Sequence, residues 1–96
     1  MADIDATLQR IMSQKGVVGL LVMDDKGRPI RSTFSEQLTS QYAPLLRQLA
    51  ENCRDTMRAI EASDDVKYIS IRSAKHEVMF TIDQQFTFIV LTTIYE

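Results

Sequence analysis

Residues 17–23, Val-Val-Gly-Leu-Leu-Val-Met, form a short and almost unbroken apolar run rich in β-branched side chains. Seven such residues are too few to cross a bilayer, which needs roughly 20. A strand whose residues are apolar at both parities has to be covered on both faces. This chain must therefore fold in layers, with a sheet between other elements. Gly19 interrupts the run and leaves space for the close approach of a neighbour, such as a helix.

The flanking segments supply those layers. Ile4, Leu8, Ile11 and Met12 make a narrow apolar stripe on a short first helix. Asp3 is its expected N-cap, and Gly16 its expected left-handed terminator. After the apolar run, Asp24-Asp25-Lys26-Gly27 reads as a turn, with Gly27 supplying a positive φ. Pro29 opens a second strand, residues 30–34. It lacks the N–H that an inner ladder needs, so this strand belongs at a sheet edge. Residues 35–40 read as a polar connection, followed by a long helix over 41–61. Pro44 is acceptable only in a first helical turn and disfavours helical angles at Ala43, so the start of this helix stays open by several residues.

On the long helix, Tyr42, Leu45, Leu46, Leu49, Ala50, Cys53, Met57 and Ile60 share a face about 160° wide, whereas covering one sheet requires nearer about 100°. The surplus can meet a second subunit or fill a deep groove of the same monomer. Three alternating segments then follow, at 66–73, 77–82 and 86–93, joined by turns at Ala74-Lys75-His76 and Asp83-Gln84-Gln85. They read as an antiparallel meander. The order is α-β-β-α-β-β-β, an α+β fold with a five-stranded antiparallel sheet flanked by helices. All 96 residues belong to one domain, with no repeat, linker or low-complexity tract.

Candidate chemistry is sparse. His76 is the single histidine, and its neighbour Glu77 could pair with it for proton transfer. A histidine in a turn is more often simply exposed. Cys53 sits on the apolar face of the long helix, where a free thiol packs as a small hydrophobe; a nucleophile needs an exposed, electropositive setting. Asp24-Asp25 and Asp64-Asp65 lack the spacing of a calcium loop and suit turns. Gly16, Gly19 and Gly27 form no phosphate-binding motif. Arg72, Lys75 and His76 make a small basic cluster at a hairpin, better explained as a solvated turn than as an anion site. The residues point to no enzyme, no metal and no cofactor.

A net charge of −2 argues against nucleic acid, anionic membrane or the acidic microtubule surface as direct partners. One cysteine permits no internal disulfide and fits a reducing compartment. The acidic residues Asp3 and Asp5 stand where a signal peptide would be basic. The expected location is the cytoplasm.

Several stretches in order resemble the roadblock family of dynein light chains. They are Ser13-Gln14-Lys15-Gly16-Val17 with Gly19, then Pro29-Ile30-Arg31-Ser32-Thr33, then Gln41-Tyr42-Ala43. The longest is Ile71-Arg72-Ser73-Ala74-Lys75-His76-Glu77-Val78-Met79, and Ile89-Val90-Leu91 fits the last strand. The chain departs from the family pattern at the turn Thr81-Ile82-Asp83-Gln84, at the tail Thr92-Thr93-Ile94-Tyr95-Glu96 and at Pro44, as a divergent paralogue would.

The resemblance implies a profilin-like, roadblock fold. Family members dimerise by pairing their third strands and packing their long helices together. It further implies a non-catalytic light chain that binds a dynein intermediate chain, in motor assembly and cargo linkage for microtubule-based movement. Such a subunit is associated with the cytoskeleton, in the cytoplasm or the axoneme. The implied partner is a second copy or a paralogous light chain. The alternative is a scaffold or regulator of a small GTPase built on the same dimer. The expected interface residues are Tyr42, Leu45, Leu49, Cys53, Val66, Tyr68, Ile69 and Ile71.

Overall fold

The computed structural model describes residues 3–94, with side chains from Asp5 onward. The elements run α1 (Asp3–Met12), β1 (Val17–Asp24), β2 (Pro29–Ser32), α2 (Glu36–Ile60), β3 (Tyr68–Arg72), β4 (His76–Ile82) and β5 (Phe86–Thr93). The α+β order read from the sequence is therefore the observed one. The expected capping role of Asp3, and the tail residues Tyr95 and Glu96, lie outside what is described.

All strand pairs are antiparallel, and the sheet order is β2-β1-β5-β4-β3. The register lines up Leu21 with Ile89, Ile89 with Phe80, and Phe80 with Ile69, so one apolar row crosses four strands. All four side chains are buried beneath α2, which adds Ala43 and packs Leu46, Leu49, Ala50 and Cys53 against them. Leu20 and Val22 have the opposite parity and are just as deeply buried on the other face, the side of β1 against which α1 lies. Period-two alternation in an inner strand thus gives one core under α2 and a second apolar layer under α1.

Four local readings are corrected. Residues 35–40 are not a loop: α2 begins at Glu36, with Ser35 as its N-cap. The Ser35 hydroxyl accepts from the Leu38 N–H at 3.1 Å, satisfying one donor of the first turn. Pro44 consequently lies inside the helix. It removes the hydrogen bond to the Ser40 carbonyl, but both residues face solvent, where water can replace that bond.

Val18 is also not buried. The ladder to β5 shifts register between Val17 and Gly19, and this bulge leaves Val18 exposed. The neighbour that needs Gly19 is not a helix but Phe34, whose ring occupies the space a Cβ would take. Finally, Gly16 has a positive φ of 89° but lies beyond the end of α1, in the turn that leads into β1.

The remaining strands lie where expected with shifted ends: β2 stops at Ser32, β3 begins only at Tyr68, and His76 opens β4 instead of closing the turn. β5 covers the expected residues, and β2 lies at an edge with all four residues exposed. Phe80 has no exposed surface and sits in the middle of the apolar row. Phe80→Ala should lower the unfolding free energy by about 3–5 kcal/mol, because the cavity left in a packed core adds to the lost transfer energy. Urea denaturation followed by circular dichroism checks this; a cost under about 1 kcal/mol would place the core elsewhere.

Candidate interaction surface

The sheet has two edges, and they differ. β2 is short, begins with Pro29 and projects Arg31, features that discourage pairing with another strand. β3 has neither proline nor bulge, and it is hydrogen-bonded on one side only, to β4. Lys67 O accepts from Ile82 N at 3.0 Å, and Ser73 N donates to His76 O at 2.8 Å. These bonds fix the parity of the strand. Residues 67, 69, 71 and 73 direct their backbone groups toward β4, while those of Tyr68, Ser70 and Arg72 point outward.

Apolar surface is exposed on α2 as well. Only Ala43 of α2 is buried outright, whereas Leu45 is 68% and Ile60 74% exposed, with Leu38 and Met57 also exposed. Between α2 and the sheet runs an apolar groove of about 190 Å³, bordered by Tyr42, Leu45, Val78, Ile89 and Leu91 and closed by Phe34. Phe34 meets Tyr42 edge-on, with ring centroids 5.3 Å apart. On β3, Tyr68 and Ile71 are exposed as well.

The eight residues expected at an interface therefore divide. Tyr42, Leu45, Leu49, Cys53, Tyr68 and Ile71 are at least partly accessible. Val66 and Ile69 are buried in the monomer's own core, and Leu49 and Cys53 pack against it from α2. Of the wide helical face, Leu46, Leu49, Ala50 and Cys53 take the same-monomer alternative by packing on this core. Leu38, Met57 and Ile60 join the exposed set. Leu38 escaped the sequence reading because its segment looked like a loop, although Ser35 followed by the acidic Glu36 is a legible helix start.

The opposite flank of α2 is charged. Arg54 and Arg58 both contact the Asp65 carboxylate, at 3.2 and 3.5 Å, and tie the helix to the loop that leads into β3. Arg47 pairs with Glu51 at 3.1 Å, and its stem lies across Gly27, whose φ is 80°. These residues border a polar cleft of about 310 Å³. The Val66 N–H holds Asp65 below the usual carboxylate range, helped by Arg54, Arg58 and Lys67. Asp24 is lowered in the same sense, first by the Arg28 N–H, and it also takes the Arg28 guanidinium at 2.8 Å.

The candidate catalytic groups do not converge. Glu77 accepts from Ser70 Oγ at 3.0 Å and faces Arg72 at 3.5 Å, so its partners are on β3. His76 is exposed, and its backbone closes the hairpin on Ser73. Among the described residues no group of three or more His, Cys, Asp or Glu is arranged to hold a metal ion, and no helix is long and apolar enough to cross a membrane.

A model of the Roadblock/LC7 domain matches residues 3–93, nearly the whole chain. The chain belongs to the Roadblock/LC7 family. Solved structures agree on the fold. A Roadblock/LC7 domain from Streptomyces avermitilis superposes with a TM-score of 0.77 at 12% identity, over 93% of this chain and 73% of that one. Myxococcus xanthus MglB gives a TM-score of 0.77 at 17% identity, covering 97% of this chain and 77% of that one. MglC from the same organism gives 0.60 at 18% identity, over 97% and 81%. The roadblock fold expected from the residues is thus the observed one.

The two lowered carboxylates carry a pH dependence. Each has a folded pKa below its unfolded value of 3.8. Their contribution to stability is complete above that value and is lost as pH falls through the folded pKa. In Asp24→Asn/Asp65→Asn the stability lost below about pH 4 should be smaller than in the unmutated protein. Thermal melts from pH 7 down to pH 2 test this, and an unchanged acid limb would refute it.

Proposed function

We propose that this Roadblock/LC7 protein is a non-catalytic adaptor that works as a dimer and holds a partner protein on the surface the dimer creates. The observation that carries the reading is an unprotected β3 edge together with exposed apolar residues on α2. Pairing two β3 edges removes a liability for aggregation. Bringing the α2 helices together covers Leu45 and the adjoining groove. Obligate interfaces of this kind commonly exceed about 2,000 Å². The absence of convergent reactive groups among the described residues supports a binding role. Cys53, free and partly covered, is compatible with action in the cytoplasm.

Two partner classes fit a roadblock dimer. The three solved structures described above come from bacteria, and they favour the branch of the family that scaffolds or regulates small GTPases. The hairpin sequence Ile71–Met79 favours the branch that assembles on a dynein intermediate chain. In either case two equivalent sites held together would engage a paired partner with avidity.

Leu45 is so exposed in the monomer that charging it should leave the fold intact. Leu45→Glu should therefore keep the native circular dichroism spectrum, turn a dimer at micromolar concentration into a monomer, and weaken partner capture at least tenfold. Light scattering and affinity capture with the unmutated protein as reference check this. A monomeric unmutated chain, or undiminished capture by the variant, would overturn the reading. Recovery of a small GTPase or of a dynein intermediate chain by the unmutated dimer decides between the two partners.

A further inference from the structure

We infer that the polar cleft beside the C-terminal half of α2 is the docking site for an acidic segment of the partner protein, with Arg54, Arg58 and Lys67 holding its carboxylates. That the partner is a protein rests on the adaptor reading above; the chemistry of its segment and the place where it lies go beyond that reading. No second copy is needed, since one chain supplies the whole lining of the cleft.

The shape of the cleft suits a chain better than a small anion. Arg47, Arg54 and Arg58 all border it from one flank of α2. From the first to the last the helix advances about 16 Å, at about 1.5 Å per residue. Lys67 joins them from the segment before β3. A free phosphate can touch only part of such a row, whereas an extended chain covers it with about five residues. The same cleft is lined by Met23 and Val66, both buried, and by the partly covered Ala50 and Phe86. Buried lining residues lie at the bottom of a cleft and exposed ones at its rim. A cationic rim above an apolar floor matches a segment in which acidic side chains flank an apolar one.

Acidic and basic residues are equally common in the lining, but they are not equally available. Asp24 accepts from the Lys26 and Arg28 N–H groups and from the Arg28 guanidinium. Asp83 accepts from the Gln85 and Phe86 N–H groups. Both carboxylates are thus engaged in closing their own turns. Asp25 and Lys26 are adjacent and offset each other, and Glu51 offsets Arg47 at 3.1 Å. What remains is the single carboxylate of Asp65 against three cations. Arg54 lies 3.2 Å from it, Arg58 3.5 Å, and Lys67 is near enough to favour its ionised form. One carboxylate cannot neutralise three cations, so a positive surplus stays on this flank although the chain as a whole carries −2. The Arg54 and Arg58 side chains are 41% and 48% exposed. Each guanidinium has five N–H donors, more than its contact with Asp65 uses. Charge-assisted bonds from such donors to a second carboxylate are the strong kind, and arginine clusters are a recurring device for gripping acidic motifs.

Fluorescence anisotropy with a labelled Glu-Glu-Leu-Glu-Glu-Leu peptide tests this, with Gln-Gln-Leu-Gln-Gln-Leu as the uncharged control. The acidic peptide should bind the unmutated protein at least about tenfold more tightly than the control. Its binding should weaken as salt rises from about 50 to about 500 mM. Arg54→Gln and Lys67→Gln should each weaken it about tenfold, and Arg54→Lys, which keeps the charge but not the fork, should fall between. Glu51→Gln removes a carboxylate that competes for Arg47 and should tighten binding about twofold. Because that change is a gain, damage to the fold cannot imitate it. Leu45→Glu should bind the acidic peptide as the unmutated chain does, which separates this cleft from the dimer reading. Equal binding of the two peptides, or binding that neither Lys67→Gln nor Glu51→Gln moves, overturns the inference and leaves the adaptor reading to its own test. Full displacement of the acidic peptide by equimolar inorganic phosphate would mark a site for small oxyanions and overturn it as well.

Discussion

A single helix lies over a five-stranded sheet, and the sheet's apolar row is what it must cover. Leu21, Ile89, Phe80 and Ile69 come from four different strands, yet the register sets them side by side. The central strip of α2 seals that row with Ala43, Leu46, Leu49, Ala50 and Cys53. A helix buries only one strip against a sheet. The apolar residues of α2 beyond that strip, Leu45 and Ile60 above all, are left outside. The same packing that builds the core therefore also leaves the apolar surface proposed for partner binding.

The charged flank ties α2 to the neighbouring loops. Arg54 and Arg58 converge on Asp65, and Arg47 lies over the β1–β2 turn at Gly27. Exposed ion pairs add little to stability one by one. Here they hold the end of α2 to the start of β3, and so place the exposed edge and the apolar flank in a constant relation. Glu77 is engaged with β3, and Asp24 and Asp65 are engaged in turns and ion pairs.

Much of the fold was legible in the residues because local rules governed it. Alternation and the Asp83 turn define β4 and β5, with the Asp83 carboxylate accepting from Gln85 N and Phe86 N. The edge position of β2 follows from Pro29. Where the reading failed, a longer-range effect or an overweighted local rule was responsible. Pro44 leaves the start of α2 open in the sequence, and the Ser35 cap places it at Glu36 despite one missing hydrogen bond on a solvated face. The exposure of Val18 depends on a register shift that exists only once β1 meets β5. The division of the interface residues depends on how α2 crosses the sheet: Ile69 and Ile71 have the same parity and similar chemistry, yet one is covered by the helix and the other is not. Family membership was legible in a series of short stretches and agrees with the match over residues 3–93.

The central claim is that the outward backbone groups of β3 are a pairing surface. Amide hydrogen exchange measured across protein concentration tests it residue by residue. Ile69 and Ile71 donate toward β4 and should be protected at every concentration. The amides of Tyr68, Ser70 and Arg72 should exchange quickly in dilute protein and become protected as the dimer forms, and they should stay unprotected in Leu45→Glu. Rapid exchange of these three amides at concentrations where light scattering finds two copies per particle would contradict the account, since the copies would then be joined through another surface.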